Sequence, residues 1–224
     1  MSLDQDSLRN NPTAVLTAID DYVNAHSRMM IFEQPKVHAV QRVLETMNPT
    51  PKVLVELGGY IGKSAVAWGQ MLRSFHEEAS QVKVFSMELE GDFVKIIRDF
   101  VGLAGLNGTV EVIQGKSGDS LRLLKSERRI ESVDVLFLDH WKDFYLPDLR
   151  LCEELGLLRV GSVIVADNTD FPGAPDYLKY VEAGGEGGWR YRCETLIVDE
   201  LERSRVFAED DQRAVHFAFV EATP

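Results

Sequence analysis

Apolar positions along the chain fall into two rhythms. Between residues 12 and 26, Val15, Leu16, Ile19, Tyr22 and Val23 recur at helical spacing, with Asn11 placed to cap the helix ahead of Pro12. A second helix is expected from Gln34-Pro35, carrying Val37, Val40, Val43, Leu44 and Met47 on one face and stopping before Asn48-Pro49. The link between them, Arg28-Met29-Met30-Ile31-Phe32-Glu33, is apolar and reads either as core cover or as a lid over a ligand. From residue 52 onward short β-branched runs alternate with helical segments. Strands are expected at 52–57, 82–87, 110–114, 133–138 and 162–166, and helices at 63–75, 93–104, 120–128, 149–155 and 176–181. This alternation predicts an α/β fold, a parallel sheet with helices on both faces. After the glycine-rich connector Gly184-Gly185-Glu186-Gly187-Gly188, the runs 189–198 and 214–220 have no helix between them and suit an antiparallel hairpin closing one edge. With no internal repeat or long linker, the chain reads as one domain over 1–224: helices forming a lid or cover at 1–50, an α/β core at 51–182 and an edge hairpin at 189–224.

The rest is organised around Val133-Asp134-Val135-Leu136-Phe137-Leu138, a nearly unbroken apolar run that suits a strand covered on both faces. It ends in Asp139-His140-Trp141-Lys142-Asp143, and the next apolar run, Ser162-Val163-Ile164-Val165-Ala166, ends in Asp167-Asn168. Ligands of open parallel sheets sit beyond the carboxyl ends of the strands. Two neighbouring strand tips would therefore present Asp139, Asp167 and Asn168 to one crevice, an all-oxygen set suited to a hard divalent cation.

Composition narrows the partners. The 24 basic against 36 acidic residues give a net charge of -12, which repels phosphate backbones and argues against nucleic acid. Two cysteines, Cys152 and Cys193, are too few for a disulfide framework and fit a reducing compartment. The polar N-terminus and the lack of a bilayer-length apolar run point to a cytoplasmic protein without membrane contact.

Gly58-Gly59-Tyr60-Ile61-Gly62-Lys63-Ser64 resembles a Walker A loop but is one residue short, with Leu57 where the first glycine belongs. The dinucleotide fingerprint fails as well, because Tyr60 stands at the second glycine. What fits is a strand, a glycine turn and a helix N-terminus, followed by Glu88 at the tip of the next strand. Free amides and Ser64 would hold a carboxylate and Glu88 a ribose diol. A ligand with both groups and no phosphate points to S-adenosylmethionine. Glu88 also reads as a solvated strand end, and Glu56 either supports the turn's amides or touches the ligand.

The strings VELGGYIGKSAV, LFLDHWKDFYLPD and GLLRVGSVIVADN, in this order and spacing, resemble the catechol O-methyltransferase family over roughly residues 18–180. The resemblance implies a Rossmann-like S-adenosylmethionine methyltransferase fold, with a mostly parallel seven-stranded sheet and an antiparallel edge hairpin. It also implies Mg²⁺ on Asp139, Asp167 and Asn168, and Lys142 as general base. Cofactor contacts would come from Glu56, Gly58, Tyr60, Ser64, Glu88, Leu89, Ser117, Asp139, His140 and Trp141. Met30 would sit near the sulfonium and Pro172 would wall a catechol slot shared with Asp139, Lys142 and Asn168. Mg²⁺ prefers six oxygens, so three protein ligands leave room for a chelating diol and a water. A partly buried lysine has its pKa pushed down toward that of a useful base.

The chain departs from the family pattern where Arg28 replaces an aromatic gatekeeper and where Asp199 or Glu200 would hold the second hydroxyl. The run 201–213 is also longer than the family's hairpin turn. The expectation is a catechol O-methyltransferase, acting as a monomer or weak homo-oligomer on a small molecule. The alternatives are a related enzyme acting on larger vicinal-diol phenols (flavonoids or phenylpropanoids) and a non-catalytic S-adenosylmethionine-binding module.

Overall fold

A computed structural model describes residues 5–26, 29–197 and 214–224. A short helix α1 (Gln5–Leu8) precedes α2 (Pro12–His26) and α3 (Gln34–Leu44). Strand and helix then alternate through β1 (Val53–Leu57), α4 (Lys63–Ser74), β2 (Lys83–Glu88), α5 (Gly91–Leu103), β3 (Val110–Gln114), α6 (Ser117–Ser126), β4 (Val135–Leu138), α7 (Tyr145–Glu154), β5 (Val163–Asp167) and α8 (Pro175–Glu182). The chain closes with β6 (Arg190–Ile197) and β7 (Ala214–Ala222).

The seven strands form one sheet in the order β3-β2-β1-β4-β5-β7-β6. β1 to β5 are parallel, while β7 runs antiparallel to both β5 and β6, so the expected hairpin closes one edge. Consecutive connections run outward from β1 to β3, then return to β4 on its other side. That reversal puts the topological switch between β1 and β4, where open α/β sheets have a crevice.

Strand alternation divides the core in two. Leu54, Val135, Phe137, Val163, Val165, Val215 and Phe217 pack under α2–α5, while Val55, Leu57, Leu136, Leu138, Ile164, Ala166, Ala218 and Val220 pack under α6–α8. Both faces of the central strands are therefore dry, which is why those strands read as unbroken apolar runs. The link before α3 divides its roles. Phe32 is buried against Trp68 and Phe137, with ring centroids 5.5 and 4.9 Å away, whereas Met30 is 82% exposed.

Two helices begin three or four residues earlier than their apolar spacing suggests. α6 starts at Ser117 rather than Ser120, its first turn closed by the Ser120 amide donating to the Lys116 carbonyl at 3.0 Å. α7 starts at Tyr145 rather than Leu149, because Pro147 falls in its first turn, where no intrahelical N–H is needed. At the other end of its own span, α3 stops at Leu44, short of Met47.

Candidate active site

The glycine turn lies against the tip of β4. Gly58 adopts φ +98°, and a Cβ there would come within 2.6 Å of the Asp139 carbonyl oxygen and 2.9 Å of the His140 Cα. The Gly58 and Gly59 amides both donate to the Met87 carbonyl, at 3.0 and 3.1 Å. Tyr60, also at positive φ, donates its amide to Glu88 Oε2 at 2.8 Å, and the Glu90 amide reaches Oε1 at 2.9 Å. Two backbone donors thus orient the Glu88 carboxylate at the end of β2. Leu89, beside it, is exposed.

Glu56 is fully buried one layer below the turn. Its carboxylate accepts from Trp68 Nε1 at 3.0 Å and from the Ser86 hydroxyl, with the Ser64 hydroxyl as a third partner. Its partners are these side chains, and burial pushes its pKa up to about 7. Lys63, the Walker-like lysine, is also buried, and its ammonium pairs with Asp20 on α2 at 2.5 Å. A small crevice of about 10 Å³ is bordered by Met30, Phe32, Gly58, Tyr60, Ser64 and Asp139. A roomier groove of about 400 Å³ lies elsewhere, between α2, α3 and α4, and contains none of the strand-tip residues.

The two strand tips meet at Lys142. Its Nζ lies 3.6 Å from Asp139 Oδ1, 3.4 Å from Asn168 Oδ1, 3.3 Å from the Asp167 carbonyl and 2.6 Å from the Tyr145 hydroxyl, which in turn donates to the Asp167 carbonyl at 2.9 Å. Oxygens of both tips therefore surround one positive charge. Burial lowers the Lys142 pKa against the pull of Asp139 and Asp167. Burial, then repulsion from Asp167, raises Asp139 well above the ordinary carboxylate range, and burial also raises Asp167. Two crowded carboxylates and an amide oxygen make a hard donor set that fits Mg²⁺, and a cation there would relieve their mutual repulsion.

Beyond Lys142 lies the other half of the tip. His140 Nε2 and the Ser117 hydroxyl meet on one oxygen of Asp148, at 2.8 and 2.5 Å, and the His140 ring stacks on Tyr145 at 5.2 Å. His140 Nδ1 is buried with no hydrogen-bond partner among the described residues. Trp141 is 72% exposed, its indole N–H held by Asp143. Pro172 sits exposed in the irregular turn Thr169–Gly173 beside the half-exposed Phe171. Arg28, Asp199 and Glu200 lie outside the described residues.

Three residues at the site had no role assigned from sequence. Tyr145 and Asp148 sit inside the DHWKD-x-YLPD string, so their position was legible while their partners were not. Lys36 carried no sequence signal. It is a lysine on a helix, yet it is 5% exposed and donates to Asp167 Oδ1 at 2.7 Å across 131 residues of chain.

A family model described as a methyltransferase domain matches residues 55–169. The chain is 38% identical over 207 residues to the catechol O-methyltransferase of Bos taurus, covering 89% of this chain and 72% of that protein. It is 40% identical over 179 residues to that of Sus scrofa, covering 80% and 89%. Among solved structures, an O-methyltransferase from Bacillus cereus in complex with SAH superposes with a TM-score of 0.71 at 19% identity, covering 93% of this chain and 91% of that one. The fold is thus the Rossmann-like one of S-adenosylmethionine-dependent O-methyltransferases. On identity and coverage together, the chain belongs to the catechol O-methyltransferase family.

Proposed function

We propose that this protein moves the methyl group of S-adenosylmethionine onto one hydroxyl of a catechol, with Asp139, Asp167 and Asn168 as the Mg²⁺ ligands and Lys142 as the base. One observation carries the reading: oxygens from two adjacent strand tips converge on the Lys142 ammonium, in a chain of this family. A bound Mg²⁺ supplies a chelating anchor for both diol oxygens and lowers the pKa of the acceptor hydroxyl. Lys142 Nζ, as the neutral amine that its lowered pKa makes more accessible, takes the acceptor's proton and becomes the ammonium, and the Tyr145 hydroxyl and Asp167 carbonyl fix where that nitrogen points. Holding acceptor and donor in one crevice replaces a bimolecular encounter with a positioned one.

Glu88, oriented by the Tyr60 and Glu90 amides, accepts from the ribose diol. Gly58, Tyr60 and Ser64 at the start of α4 face the methionine portion, with Glu56 bracing Ser64 from below. Leu89, Ser117, His140 and Trp141 enclose the adenine, with Asp148 holding both Ser117 and His140 in place. Met30 lies over the reacting centre and Pro172 walls the diol. Asp199 or Glu200 takes the second hydroxyl. The exposed rim of Met30, Trp141 and Phe171 favours a second reading, a larger vicinal-diol phenol as acceptor.

A methyl-transfer assay on catechol, a monophenol and a caffeoyl thioester, with Mg²⁺ and with chelator, tests the proposal. Transfer should require the diol and the cation together. Equal turnover of the monophenol, or full activity in chelator, would rule it out.

A further inference from the structure

We propose that Lys36 is a positioning residue that sets the charge balance of the strand-tip site. It would hold cation affinity low until an anionic diol arrives, so that metal and acceptor bind cooperatively. This rests on the reading of Asp139, Asp167 and Asn168 as cation ligands.

Lys36 comes from the first turn of α3, on the face of the sheet toward which alternation along β5 points Val163, Val165 and Asp167. Its Nζ is 2.7 Å from Asp167 Oδ1, and both residues are at most 5% exposed. Its Nζ also lies over the Phe32 ring, 5.7 Å from the centroid. A buried ammonium is costly unless something offsets it. The fold does not need this one to seat the helix, because Val37, Val40 and Leu44 already bury the inner face of α3.

The site contains two carboxylates, Asp139 and Asp167, and two ammonium groups, Lys36 and Lys142, each paired across a short distance. In their formal charge states these four groups cancel. A divalent cation entering alone adds positive charge beside the Lys36 ammonium, which already sits on one of its ligands, and in a desolvated crevice that repulsion is poorly screened. A catechol ionised at one or both oxygens offsets that added charge. Cation and diol should therefore strengthen each other's binding by the same factor. The ion pair also occupies Asp167 Oδ1, which fixes the plane of the carboxylate before any ligand binds.

The test is Mn²⁺ binding, followed by electron paramagnetic resonance on the full chain with S-adenosylhomocysteine, with and without a nitrocatechol that is not methylated. In the wild type, nitrocatechol should tighten Mn²⁺ binding by about tenfold or more. Lys36→Gln keeps an N–H donor and removes the charge. It should bind Mn²⁺ alone about tenfold more tightly than the wild type, with a smaller gain from nitrocatechol. Lys36→Arg should behave as the wild type. If Lys36→Gln does not fold, Lys36→Met, which can pack on Phe32, carries the same comparison. Unchanged or weaker Mn²⁺ binding by a folded charge-removing variant would overturn the proposal. So would failure of both neutral variants to fold while Lys36→Arg folds, since that assigns the ion pair to stability. A wild type that takes up no Mn²⁺ even with nitrocatechol would instead sink the metal reading on which the proposal rests.

Discussion

Lys142 and Glu56 illustrate how burial sets chemistry at single residues here. Lys142 lies among oxygens that favour its charged form, yet burial outweighs them and lowers its pKa. A base in that state contributes roughly 10²–10⁴-fold to a proton-transfer step. Lys142→Ala is expected to lower kcat by that factor while S-adenosylmethionine affinity, measured by calorimetry, stays within about twofold. A collapse of cofactor affinity instead would remove Lys142 from the base role. Glu56 illustrates the opposite shift, raised from 4.5 to about 7 because the fold prefers the neutral carboxyl. Its stabilisation is fully present below pH 4.5, declines as the unfolded chain ionises, and is lost once pH passes about 7. The shift corresponds to about 3 kcal/mol. Glu56→Gln should therefore show a flatter loss of stability than the wild type between those pH values in urea melts. Parallel curves would mean that the carboxyl stays ionised in the fold.

At the scale of elements, the site depends on two backbones passing without a side chain between them. Gly58 combines positive φ with a Cβ position already filled by the Asp139 backbone, so alanine there meets both strain and a clash. Gly58→Ala should cost about 2–4 kcal/mol in denaturant melts and displace the β4 tip. A loss within about 0.5 kcal/mol would show that the tips can separate freely. The early start of α7 works in the same direction. By beginning at Tyr145, the helix brings the Tyr145 hydroxyl to Lys142 and Asp148 to His140 and Ser117, ordering both halves of the tip from one element.

Across the whole molecule the net charge of -12 sets long-range repulsion against local pairs such as Asp20–Lys63 and Asp134–Arg159. The partly buried pairs are shielded from salt, whereas the surface excess is not, so screening should favour the folded chain. The melting temperature is expected to rise when ionic strength goes from about 0.01 M to about 0.15 M. A fall would mean that attractive pairs dominate. No helix among the described residues is long and apolar enough to cross a membrane.

Periodicity and short strings made much of this protein legible in advance. The alternation of strand and helix, the edge hairpin and the two polar strand tips follow from local spacing, because the side-chain period of a strand or helix is a property of a few consecutive residues. The DHWKD-x-YLPD string likewise placed Asp139, His140, Trp141 and Lys142 together, since they share one loop. Tertiary structure alone decided what each buried face meets. β5 reads as the same apolar run whichever helix covers it, so only the folded chain could bring Lys36 onto Asp167. In the same way it set Lys63 against Asp20 and sank Glu56 under Trp68 and Ser86. A sequence period reports that a side chain is buried, whereas its partner is chosen by packing between segments far apart in the chain.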